Sequence, residues 1–246
     1  MSPDSVKQSR DEAKAGIAAM ERGRQDEAGL HFLCALNCLD DVQDLRERRH
    51  LLSEASEFFL DAGFEDLALM AVLDALDADK KSGPERSLIK DSITYANINT
   101  RLGNLERAEA SYRSILERCL KKGDYANAAS ASTNLAGILA DDNYLEEATR
   151  LLENSLDYLK KEEFRDTEIN TRLMLIQVLE VQHCDCQRTF DEARTVLDLF
   201  SSELPQRHRE VLGRSVEDAL KRHLVNHPNI DAEQWKKQEF PELYGP

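Results

Sequence analysis

Apolar residues return along this chain at intervals of three and four, and short polar breaks interrupt them at regular places. The clearest stretch runs from Ala131 to Leu156. Leu135, Ala136 and Leu139 share one helical face, and after the break Asp141-Asp142-Asn143 the residues Ala148, Leu151, Leu152, Ser155 and Leu156 share another. This pattern predicts a helical hairpin, with the small residues Ala136 and Ala148 where the two helices cross most closely. A hairpin of this size cannot bury its apolar face alone, so it needs neighbours.

The same unit recurs along the chain. A helix over 10–22 breaks at Gly23, and Gln25-Asp26-Glu27-Ala28 opens the next with acidic residues in its first turn. Equivalent breaks follow at Gly63-Phe64 and Gly103-Asn104, and a fifth unit continues through Phe190-Asp191-Glu192-Ala193. The alanines that open the second helices are Ala28, Ala68, Ala108, Ala148 and Ala193, at spacings of 40, 40, 40 and 45. Such a period is that of a helical-repeat array. The expected units are 9–45, 49–82, 88–122, 125–162 and 166–205, after a disordered end over 1–8. A charged amphipathic helix over 206–227 then caps the array, and a tail over 228–246 carries the only Trp, Trp235, close to Phe240, Leu243 and Tyr244. That aromatic density predicts a tail packed on the last helices rather than a solvated one.

These residues resemble the tetratricopeptide repeat (TPR). Gly16, Ser56, Ala96 and Ala136 match its small position in the first helix, and Gly23, Gly63, Gly103 and Asn143 match its turn. The five aligned alanines match its crossing position. Phe32, Val72, Tyr112, Leu152 and Leu197 match the large position that follows, and Pro205 the closing proline. The period is longer than is usual for the family and is similar to that of kinesin light chain and spindle-orientation adaptor repeats. The fifth unit departs from the pattern, with Ile176 at the small position and an insertion around 183–188. The resemblance implies an all-α, right-handed superhelical solenoid of about five helix-turn-helix hairpins plus a C-terminal capping helix. It also implies that the first helix of each hairpin lines a concave groove where a partner peptide binds.

On that implication the groove residues are Glu54 and Glu57 in the second unit, and Lys90, Thr94, Asn97 and Arg101 in the third. The fourth unit contributes Ser130, Thr133 and Asn134, and the fifth Asn170, Met174 and Gln177. Asn both donates and accepts, so a ladder of such side chains suits the backbone of an extended peptide. Glu54 and Glu57 favour a basic end on that peptide.

Composition narrows the reading. The chain has 246 residues and a formal net charge of −15, with 47 acidic against 32 basic side chains. Both a general nucleic-acid binder and an anionic-membrane binder need clustered Lys and Arg, so neither is expected. No apolar run is long enough to span a membrane, and five Cys without a paired framework point to a reducing, cytoplasmic setting.

Chemistry-bearing motifs are few. His183, Cys184 and Cys186 are the residue types of a zinc site, with His223 and His227 as further ligands. The Cys-x-Cys spacer is tighter than that of zinc knuckles and no second pair exists, so no metal or cofactor is expected. There is no phosphate-binding Gly-rich loop, nucleophile elbow or His-Glu-x-x-His, so no enzyme is expected. The expected function is a non-enzymatic interaction scaffold or adaptor that binds a partner peptide segment. A ligand-responsive regulator that binds a small signalling peptide or molecule is one alternative. A self-assembling structural subunit, such as a homodimer, is another.

Overall fold

The computed structural model describes residues 3–82, 85–160, 164–182, 186–200 and 204–245. Among them are thirteen helices and no strand. They pair as α1 (Pro3–Glu21) with α2 (Gln25–Leu39), and α3 (Leu45–Asp61) with α4 (Glu65–Ser82). Next come α5 (Glu85–Arg101) and α6 (Leu105–Lys122), then α7 (Tyr125–Asp141) against α8 (Leu145–Leu159) and α9 (Arg165–Val181) against α10 (Cys186–Phe200). The chain ends in α11 (Gln206–Asn226), α12 (Ala232–Glu239) and α13 (Pro241–Tyr244). It forms two compact units, Met1–Ile115 and Leu116–Pro246, divided within α6.

One local device closes helix after helix. Gly23, Gly63, Gly103, Gly123 and Asn143 all have left-handed backbones, with φ between 66 and 79°. At each, two N–H groups turn back onto the helix just ended. Gly63 N bonds Leu60 O at 3.2 Å, and Phe64 N bonds Phe59 O at 2.8 Å. Carbonyls that the helix end would leave open are thereby satisfied. Asn143 replaces Gly because Asn tolerates this backbone better than other side chains.

The repeat-defining residues of the helices lie in the core, while the turn residues Gly23, Gly63, Gly103 and Asn143 are exposed. Ala28, Ala68, Ala108, Ala148 and Ala193 are fully buried, as are Phe32, Val72 and Leu152. In the first unit Phe32 meets the rings of Phe58, Phe59 and Phe64 at 5.2–5.4 Å. Gly16 faces the Phe32 ring so closely that a Cβ there would lie 2.3 Å from it. In the second unit Ile169, Leu173 and Ile176 of α9, Phe190, Ala193 and Leu197 of α10, and Leu212, Val216 and Leu220 of α11 form one cluster.

Three boundaries differ from expectation. Helix α1 begins at Pro3, so residues 3–8 are helical and not a disordered end. Pro at a helix start loses no hydrogen bond, and Asp4 in the first turn suits the dipole. Helices α3 and α5 begin several residues before the starts at 49 and 88 that periodicity suggested. Asp44 caps α3 by accepting from the N–H groups of Arg46 and Glu47. The tail is folded into α12 and α13. Phe240 is fully buried, Trp235 packs on Phe190 at 4.8 Å between centroids, and the Tyr244 hydroxyl donates to Gly213 O at 2.7 Å. Arg194 also lies over the Phe240 ring and pairs with Glu239.

Candidate functional site

The first helices of the hairpins carry three kinds of polar residue, which their neighbours sort. The innermost kind staples one first helix to the next. In the first unit Ser53 of α3 donates to Asp91 of α5 at 2.5 Å, with Arg49 3.8 Å from the other carboxylate oxygen. In the second unit Thr133 of α7 meets Thr171 of α9 at 2.8 Å, and the Thr171 hydroxyl donates onward to Thr167 O at 2.7 Å. Thr133 is therefore the donor in that pair. Both staples join residues 38 apart, and the second lies two 40-residue periods beyond the first. Ser53, Asp91, Thr133 and Thr171 are all buried.

This placement corrects two expected groove residues. Thr133 is buried in the staple, and Thr94 is buried with its hydroxyl donating to Lys90 O at 3.3 Å. Neither is presented to a partner. Adjacent helical residues differ by about 100° in direction, so Thr133 faces the next helix while Asn134 faces outward.

A second kind is half-engaged. Asn97 accepts from the Tyr112 hydroxyl at 2.5 Å, and Arg101 donates to the backbone carbonyl of Leu60 at the end of α3. Lys90 and Glu57 pair at 2.8 Å across α5 and α3, while exposed Glu54 has His50 at 3.4 Å. The first unit thus presents a mixed-charge surface.

The third kind belongs to the second unit. Asn170 and Gln177 are exposed on α9, Met174 lies half-buried between them, and Ser130 and Asn134 are half-buried on α7. Met174 packs over Gly137, its Cε 3.5 Å from where a Cβ would stand, an ordinary contact distance. Amide, thioether and amide therefore form one row along α9.

The remaining chemistry is quiet. Burial pushes the Cys119 thiol up to about 11 and raises that of Cys38, so neither offers a thiolate at neutral pH. His183 and Cys184 lie outside the described residues, while Cys186 packs partly buried against the apolar cluster of α10 and α11. The His223 and His227 rings lie 4.4 Å apart between centroids, tilted by 31°. Among the described residues no group of three or more His, Cys, Asp and Glu is gathered to hold a metal ion.

One feature escapes the sequence pattern. Tyr144, in the α7–α8 turn, and Val181, the last residue of α9, face one open notch of about 640 Å³. Its only sequence signal is an aromatic residue directly after the left-handed turn residue, a mark Tyr144 shares with the packed Phe64.

No family model and no curated protein matches the sequence. Solved structures do. The TPR-like repeats of a putative kinesin light chain from Podosopora anserina superpose with a TM-score of 0.59 at 12% identity, covering 82% of this chain and 95% of that one. The chain has the TPR-like repeat fold. The signal-transduction ATPase with a tetratricopeptide repeat sensor from Pyrococcus horikoshii gives 0.67 at 13% identity, over 98% of this chain and 40% of that one. The Rap conjugation gene regulator of plasmid pLS20, solved with the Phr* peptide, gives 0.55 at 18% identity, over 93% of this chain and 62% of that one. TPR-like hairpins account for the recurring buried alanines and for the turns between the paired helices. No helix among the described residues is long and apolar enough to cross a membrane.

Proposed function

We propose that this protein is a non-enzymatic interaction module that holds an extended segment of a partner protein along the outward faces of its first helices α7 and α9. The observation that carries the reading is the α7–α9 surface. The hydroxyls of Thr133 and Thr171 are consumed in the staple, while the amides of Asn170 and Gln177 stand exposed beside half-buried Asn134. Amides can pair with both the N–H and C=O groups of an extended peptide. The TPR-like regulator solved with a peptide supports the same use of the fold. On the first compact unit's own surface Glu57 is paired with Lys90, so the preference we propose there for a basic segment rests on exposed Glu54. The setting we propose is the cytoplasm, in keeping with the free thiols of Cys34, Cys38, Cys119 and Cys186 among the described residues.

A random peptide library displayed on phage and panned against the whole chain tests this directly. Wild type is expected to enrich a peptide family, and the Asn134→Ala/Asn170→Ala/Gln177→Ala variant should bind it at least tenfold more weakly at unchanged helicity. Failure to enrich any peptide would overturn the reading, and equal binding by the variant would refute the amide row. The second reading, a regulator responsive to a small peptide, is favoured by the same neighbour and predicts slowed hydrogen exchange across α7 and α9 on peptide addition.

A further inference from the structure

The notch at the α7–α8 turn carries the argument one step further. Asn143 is left-handed and Tyr144 N bonds Leu139 O at 2.7 Å, the turn that also precedes Phe64; but where Phe64 packs on Phe32, Tyr144 is 61% exposed. Val181, also lining the notch, is 56% exposed. Two large apolar side chains so exposed on one concavity are unusual for a surface with nothing to bind. The walls are braced: Gln182 donates to the Thr149 hydroxyl at 2.9 Å, and that hydroxyl donates to Leu145 O at 2.9 Å. The charged residues lining the notch are Glu146 and Glu147, and exposed Asp141 and Asp142 stand on the turn before it. Among the described residues no Lys or Arg lines it. Helix-dipole compensation explains acids in the first turn of α8, but not the apolar pair beside them.

Val181 also continues the row Asn170, Met174, Gln177 along α9, at helical steps of four, three and four. We propose that the notch is the anchoring subsite of the peptide surface described above, taking a large apolar side chain next to a Lys or Arg of the partner segment. This rests on the peptide-binding reading. The apolar side chain lies between Tyr144 and Val181, and the neighbouring cation faces Glu146 and Glu147. Tyr144 offers its ring face to that cation as well.

The probe is the most enriched peptide from a random twelve-residue phage library panned on the full chain, resynthesised with a fluorophore and titrated by anisotropy. Enriched peptides are expected to share an apolar residue adjacent to Lys or Arg. Tyr144→Ser/Val181→Ser should weaken binding tenfold or more, and Glu146→Lys/Glu147→Lys should reverse the charge preference. Both pairs are surface substitutions, and circular dichroism verifies folding. Enrichment without the apolar–basic pair, or unchanged affinity in Tyr144→Ser/Val181→Ser, would sink the notch and leave the wider surface intact. Loss in the notch variants with no loss in the Asn134→Ala/Asn170→Ala/Gln177→Ala variant would keep the notch and refute the amide row. Failure to enrich any peptide would refute both.

Discussion

At the scale of single residues, size and protonation decide what each position can hold. Gly16 lies where α1 meets the Phe32 ring, and there is no space for a methyl group. Gly16→Ala should lower stability by about 1–3 kcal/mol, seen as a lower urea midpoint at unchanged slope. The position was legible as small from the repeat pattern, but that it must be Gly here follows only from the Phe32 ring that faces it. Glu180 is a different case. Burial raises its carboxyl above the usual range, against the pull of the Ser215 hydroxyl and Arg222. The folded chain then holds this proton more tightly than the unfolded chain. Raising the pH from the ordinary glutamate value through the raised one therefore removes stability, and lowering it restores that stability. Urea titrations across that window should show this slope in wild type and lose it in Glu180→Gln.

Helices and their turns are the scale at which the sequence spoke most clearly. The 40-residue period exposed the hairpins because each buried Ala answers to a close helix crossing. A finer signal went unread: Gly63, Gly83, Gly103, Gly123 and Asn143 stand 20 apart, so the junction between α6 and α7 carries the same mark as the turns within hairpins. The staples were not legible at all. A Thr on a helix gives the same signal whether its hydroxyl meets solvent or the next helix, and only stacking tells the two apart. Their energetics can be measured. Thr171→Val removes the acceptor of a buried donor, and should cost about 1–3 kcal/mol. Thr133→Val/Thr171→Val should cost less than the two single changes summed, because no unsatisfied donor remains. Additive costs in chemical denaturation would show that the pair is not coupled.

For the molecule as a whole, the ends of an array are its weak points, since a repeat packs only on its neighbours. The C-terminal end is closed by the chain itself. Phe240, Trp235 and Tyr244 cover α10 and α11, and Lys236 lies 5.1 Å above the Tyr244 ring. Trp235 is the only Trp in the chain, so its emission reports this closure without interference. Phe240→Ala should destabilise by about 3–5 kcal/mol and shift the Trp235 emission to the red, with faster protease cleavage near residue 230. An unshifted spectrum would mean that the tail stays in place without its anchor. The aromatic crowding made this docking legible before any coordinates; the helical fold of α12 and α13 was signalled only in part, by the short run 231–237.

The uniform left-handed turns also bear on how a chain like this can change length. A segment running from the residue after one such turn to the next, 104–143 for instance, begins and ends in the same chemistry. Excising it would join Gly103 to Tyr144, again a left-handed residue followed by the opening of a second helix. Duplicating it would likewise create no junction the protein does not already contain. Gain or loss of whole repeats therefore needs no new turn to evolve, whereas the folded tail, which fits one particular last helix, must stay with its partner.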